Sequence, residues 1–197
     1  PSPPTPGCTR SAADRGARVA NISYLVSGSS SVQSAASYFK SKGGLVVTSA
    51  GNYGKDEGIA PSDTLISVSA TTSSDSLATW SSYGKFVDVS APGAGIYTTT
   101  RGGGYASWNG TSFSSPVAGG VIALMMAANP KLSAADVEKL LFQTTVDLGS
   151  AGFDIYYGWG RVDANAAVQA ALEAGGDTTP TDTQAPVASI TNPAGGS

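Results

Sequence analysis

The sequence predicts an α/β protein built on a parallel sheet, and three observations carry that expectation. Val19-Ala20-Asn21-Ile22-Ser23-Tyr24 and Leu45-Val46-Val47-Thr48 read as short strands, with a helix over about Ser31 to Lys42 between them. Strand, helix and strand in so short a stretch is the pattern of a parallel crossover. The second strand is a β-branched run without polar alternation, as expected where both sheet faces are covered. Hydrophobic residues make up 41% and charged residues 13% of the 197 positions, which suits a globular domain with a sizeable core.

The remaining elements follow in order. Pro1 to Gly7 holds four prolines in seven residues, so residues 1–11 read as a disordered or non-native leader. Ala12 to Gly16 reads as the last turns of a helix. Ser30 is the expected cap of the first full helix, and Gly43-Gly44 ends it. Further strands are expected at Leu65 to Ser69 and Phe86 to Val89, separated by the polar stretch Thr71 to Ser76. Ile96 to Thr100 and Tyr105 to Trp108 flank Arg101-Gly102-Gly103-Gly104 and read as a hairpin. Helices are expected over Ser112 to Ala128, Ala134 to Gln143 and Ala164 to Ala174. Ser133 caps the second of these, with Asp136 at the capping-box position. The longest apolar run, Val117 to Ala128, falls short of the ~20 residues that cross a bilayer and reads as a buried helix. From Gly175 the chain turns to Gly, Asp, Thr and Pro, a linker over 175–185. Pro186 to Thr191 then alternates like a strand, and 186–197 resembles the opening of an immunoglobulin-like domain.

Charge narrows the range of partners. With 11 basic and 14 acidic residues the net charge is −3, and the pI is near 4.7. Nothing here forms the basic footprint that nucleic acid or an anionic membrane would need. Cys8 is the only cysteine, which excludes an internal disulfide and a paired-cysteine metal site.

Gly110-Thr111-Ser112-Phe113-Ser114-Ser115-Pro116 heads the apolar helix. A serine hydroxyl is a poor nucleophile until a general base stands within hydrogen-bond reach. At a helix amino terminus, free N–H groups and the dipole face a developing oxyanion. Ser112 opens such a helix, and Pro116 is tolerated in its first turn. Taken alone, these residues suit at least as well a helix merely capped by Thr111 or Ser112.

Three more segments sharpen the reading. With Gly110 to Pro116, the segments Ser49-Ala50-Gly51-Asn52, Ala91-Pro92-Gly93 and Tyr157-Gly158-Trp159-Gly160-Arg161-Val162-Asp163-Ala164 resemble, in family order, the second half of a subtilisin-like serine protease of the subtilase family. The resemblance covers about Ala12 to Ala174, so 12–174 is expected to be the carboxyl-terminal part of such a catalytic domain. It implies a doubly wound parallel sheet with helices on both faces, truncated on its amino-terminal side. Val117 stands where many relatives have histidine, at a structural position.

The resemblance makes Ser112 the acylated nucleophile and Asn52 the side-chain N–H donor to the tetrahedral oxyanion. Losing such a donor raises the barrier by about 2.7–4 kcal/mol, a magnitude established on subtilisin itself. Thr111 is expected to assist the same oxyanion. The family adds its peptide substrate as a strand beside the residues matching Ser23-Tyr24-Leu25 and Ser49-Ala50-Gly51. Leu25 stands near a position where most relatives carry glycine, a departure that bears on pocket size.

The larger departure is the absence of histidine from the whole sequence. The family orders its catalytic residues Asp, His, Ser, and the first two precede the segments matched here. Asp14, Asp56, Asp63 and Asp154 sit in helix-end or loop contexts and are expected only to solvate the surface. By itself this chain is therefore expected to be inactive. The resemblance further implies a secreted, bacterial protein with a protein or peptide substrate. It implies no cofactor for the chemistry, and structural calcium as an optional ion. Val19 to Tyr24 would present an open sheet edge, which invites a companion amino-terminal fragment or self-association. The competing reading is a non-catalytic binding or scaffold module on the same fold. An adhesin-like surface protein would explain the Gly, Ser and Thr content but not the four ordered motifs.

Overall fold

Leu45 and Val47 enter one apolar cluster and Val46 enters another, so successive side chains of one strand serve cores on opposite faces of a sheet. The computed structural model describes residues 6–174. Its central sheet has four parallel strands, β1 Val19–Ile22, β2 Leu45–Ser49, β3 Ile66–Thr71 and β4 Val89–Pro92, hydrogen-bonded in that order. On one face lie α1 (Pro6–Asp14) and α2 (Ser30–Ser41), where Ala13, Val32, Ala36 and Phe39 pack on Ile22 and Val46. On the other lie α3 (Thr111–Ala128), α4 (Ala134–Gln143) and α5 (Ala164–Ala174). Ile122, Met125, Val137 and Leu141 there meet Leu45, Val47, Ile66 and Val68. The antiparallel hairpin of β5 (Ile96–Thr99) and β6 (Tyr105–Trp108) precedes α3. The α/β class with a parallel sheet covered on both faces is the one expected.

Several boundaries differ from expectation. Residues 6–11 belong to α1, so that part of the expected disordered leader is helical, while residues 1–5 lie outside the described residues. Pro6 begins the helix, where its missing N–H costs nothing. Thr9 and Ala13, one turn apart, bury the inner face. The first strand ends at Ile22 because the Tyr24 N–H turns back onto the Ile22 carbonyl at 2.7 Å. Phe86 and Val87 are buried in a small cluster with Ala50 and precede β4, which runs over Val89–Pro92. Ala91-Pro92 is thus the end of a strand, and the turn begins at Gly93. The cap of α2 is Ser29, one residue earlier than expected, whereas α4 and its Ser133–Asp136 capping box fall where the pattern put them. The linker and the strand-like Pro186 to Thr191 lie outside the described residues.

At 18 residues, α3 is long and apolar enough to cross a membrane by length and composition alone, yet half of it is buried against the protein. It lies across all four strands. The expectation of a buried helix holds for one side of it only. Pro116, Val117, Gly120, Ala123, Leu124 and Ala127 form an exposed apolar stripe at helical spacing, with Leu124 55% exposed. Beside it, β1 is an edge strand among the described residues.

Candidate active site

Parallel strands deliver their carboxyl ends to one side of a sheet, where the following loops build sites. Ser23 and Asn52 follow β1 and β2 on that side, and α3 starts there. The three segments enclose a cleft of about 260 Å³ lined by Ser23, Tyr24, Leu25, Ser49, Gly51, Asn52, Tyr53, Thr111 and Ser112. Every lining side chain is uncharged.

Asn52 is held from one side of its amide. Its Oδ1 accepts both the Thr111 N–H and the Thr111 hydroxyl, each at 2.9 Å. The buried Thr111 Oγ1 in turn accepts the Gly51 N–H at 3.2 Å. With Oδ1 committed, the amide plane leaves Nδ2 as the end that offers hydrogens.

The Ser112 hydroxyl donates to the Ser23 carbonyl at 3.1 Å, and the Ser23 hydroxyl donates back to the Ser112 carbonyl at 2.9 Å. Ser115, one turn along α3, places its buried hydroxyl 3.4 Å from Ser23 Oγ and 3.2 Å from Ser49 Oγ. Asn21 Nδ2 donates to Ser23 Oγ at 2.9 Å. Hydroxyls thus lock the end of β1 to the first turn of α3. The close approach of Gly93 completes the frame. A Cβ there would stand 2.2 Å from Ser114 Oγ and 2.8 Å from the Ala70 Cβ. Its carbonyl accepts the Gly110 N–H at 2.9 Å, just ahead of the helix.

The residues singled out from sequence come together, with two differences in detail. Ala50 is fully buried with Phe86 and Val87 behind the cleft and does not line it. The Thr111 hydroxyl is spent on Asn52, so it reaches the cleft through that residue. Tyr53, 72% exposed on the rim, and Ser115 were missed, although each adjoins or lies within a motif already noted. The four aspartates lie outside the cleft. Asp14 accepts from the Tyr38 hydroxyl, Asp56 accepts the Gly58 N–H, and Asp63 offers its carbonyl to Lys40. Asp154 does more than solvate, since it accepts the N–H groups of Ser150, Tyr156 and Tyr157 and shapes their loop. Among the described residues, no group of three or more His, Cys, Asp or Glu side chains is placed to hold a metal ion.

A serine at a helix start, an oriented amide beside it and a small uncharged cleft between them stand at the carboxyl ends of a parallel sheet. The family model described as the subtilase family matches residues 7–160, and the chain belongs to that family. It is 37% identical over 161 residues to alkaline elastase YaB of Bacillus sp. strain YaB, covering 80% of this chain and 42% of that protein. Identity is also 37% to thermitase of Thermoactinomyces vulgaris, over 80% of this chain and 56% of that one. The chain therefore spans about half the length of these relatives. Among solved structures, a protease from Pseudoalteromonas arctica PAMC 21717 is 30% identical with a TM-score of 0.68, covering 79% of this chain and 51% of that one. A lanthipeptide protease shares the fold at TM-score 0.73 and 24% identity, covering 83% and 64%.

Proposed function

We propose that this chain carries the nucleophile and oxyanion donor of a serine endopeptidase. Ser112 Oγ attacks the scissile carbonyl, its proton leaves to a base outside this chain, and the peptide carbonyl oxygen becomes an oxyanion. Asn52 Nδ2 and the N–H groups at the start of α3 donate to it. Collapse of the intermediate expels the amine and leaves an acyl-enzyme on Ser112, which water then hydrolyses. The observation that carries this reading is the pair of Thr111 hydrogen bonds to Asn52 Oδ1, because they present the amide hydrogens to the cleft. Thr111 acts as the orienter of Asn52. Ser23, Tyr24, Leu25, Ser49 and Gly51 line the path of an extended protein or peptide substrate.

Without histidine the chain is inactive alone, and its Ser112 hydroxyl rests on the Ser23 carbonyl. A companion amino-terminal segment supplies the aspartate and the base. The exposed apolar stripe of α3 and the open edge of β1 support this, since a helix apolar on all sides is built to be covered on all sides. Residues 12–174 form the carboxyl-terminal part of the catalytic domain. The protein is secreted and bacterial, in keeping with its relatives. The chemistry needs no cofactor, and structural calcium is an optional addition to it.

Labelling with a serine-directed fluorophosphonate, read by intact mass and peptide mapping, tests the proposal. The chain alone should stay unlabelled while folded by near-UV circular dichroism. With a companion segment bearing the missing Asp and His, it should label at Ser112. Failure to label in a folded assembly would favour the scaffold reading, for which the missing histidine is the supporting observation.

A further inference from the structure

Asn52 is gripped through its side chain by Thr111, but something must also fix its backbone, and that turn carries no regular secondary structure. Ser82 does so from both sides. Its N–H donates to the carbonyl of Gly51 at 2.9 Å, and its Oγ accepts the N–H of Tyr53 at 3.1 Å. Ser82 is fully buried, and Gly51, at φ +103°, leaves only 3.0 Å between an added Cβ and the Ser82 Oγ.

A hydroxyl can accept from Tyr53 only if its own hydrogen is directed elsewhere. It is directed to Glu57, whose Oε1 accepts it at 2.6 Å. The Glu57 side chain is 10% exposed, and an ionised carboxylate is an acceptor only. It therefore allows one orientation of the Ser82 hydroxyl, the one that turns a lone pair toward the Tyr53 N–H. Among the described residues the second carboxylate oxygen pairs with Lys55 alone, at 3.6 Å and 63% exposed, an ion pair of little weight.

We infer that Glu57 is a positioning residue, which acts through the Ser82 hydroxyl to hold the Gly51-Asn52-Tyr53 turn and so aims the Asn52 amide into the cleft. Its catalytic meaning rests on the role proposed for Asn52, whereas the relay itself can be read without any reaction.

The test is hydrogen exchange and side-chain amide NMR on this chain and its Glu57→Ala, Glu57→Gln and Ser82→Ala variants. In Glu57→Ala the Tyr53 amide should exchange about two- to tenfold faster, the fold-change expected when its hydrogen bond to the neutral Ser82 hydroxyl is lost. The Asn52 side-chain amide resonances should shift, while the amides of Val47 and Val68 keep their protection. Glu57→Gln retains an acceptor oxygen at the same reach and should return both signals toward wild type. Ser82→Ala should reproduce Glu57→Ala, and the double variant should add nothing further. Unmoved Asn52 resonances in Glu57→Ala, no rescue by glutamine, or an equal loss of protection at Val47 and Val68 would each overturn the inference. None of these outcomes depends on whether Ser112 can be acylated, which the fluorophosphonate experiment decides separately.

Discussion

Thr111 donates its backbone N–H and its hydroxyl to the same atom, Asn52 Oδ1, at 2.9 Å each. A residue at the start of α3 thereby orients a side chain that follows β2. Thr111→Val keeps the shape and the N–H bond but removes the hydroxyl, which also strands the buried Gly51 N–H. Unfolding in urea should show a loss of about 1–3 kcal/mol, and Thr111→Ser should recover most of it.

Gly93 and Ser114 form a second coupled pair. Gly93→Ala would force its methyl to within 2.2 Å of Ser114 Oγ and should cost about 1–3 kcal/mol by overpacking. The buried Ser114 hydroxyl has no hydrogen-bond partner among the described residues, so Ser114→Ala should be neutral or stabilising. Combined, the two should cost less than their sum, because the worst contact disappears, although the Ala70 contact at 2.8 Å remains. A thermodynamic cycle from chemical denaturation checks this.

Asp88, just before β4, gives a pH dependence. Burial pushes its carboxyl well above the usual range; the Ser67 N–H opposes the shift, the Glu138 charge adds to it, and Lys40 opposes it. The folded value thus exceeds the unfolded one, and between them the native state binds the extra proton. The contribution to stability is complete below the unfolded pKa and is lost as pH rises through the raised folded value. Asp88→Asn, whose amide oxygen can still accept from Ser67, should flatten that limb and be the more stable protein at neutral pH. Melting temperature followed as pH rises from the usual carboxylate range is the measurement.

The apolar stripe of α3 should make the chain self-associate or bind hydrophobic dye. Leu124→Lys, at a side chain 55% exposed, should reduce both without loss of stability. Light scattering with dye fluorescence decides it, and a monodisperse monomer with full amide protection over β1 would contradict the open edge.

Sequence and structure divided the site unequally. Ser112 and Asn52 were legible because each sits in a short motif whose neighbours are dictated by local geometry: a helix start, and a strand end. Glu57 and Ser82 were not legible, because nothing in the local pattern of a loop says which of its polar side chains will be buried against another loop 25 residues away. The boundaries of β1 and β4 were misplaced for a related reason. Phe86 and Val87 have strand-like side chains, but their apolar surface is claimed by Ala50 and the cluster behind the cleft, and the sheet takes its register from β3 instead. Residues 6–11 are helical despite the prolines around them, because the Thr9/Ala13 face of α1 is buried as that helix packs on α2.

The sequence by itself determined the parallel α/β plan, the helix that opens at Thr111, and the want of a base, because strand periodicity, caps and residue counts are properties of short segments or of composition. Tertiary structure alone decided which end of the Asn52 amide is free, which hydroxyls lock β1 to α3, and which side of α3 stands uncovered. Those outcomes depend on hydrogen-bond partners and contact surfaces brought from distant parts of the chain, and they exist only once the layers have packed.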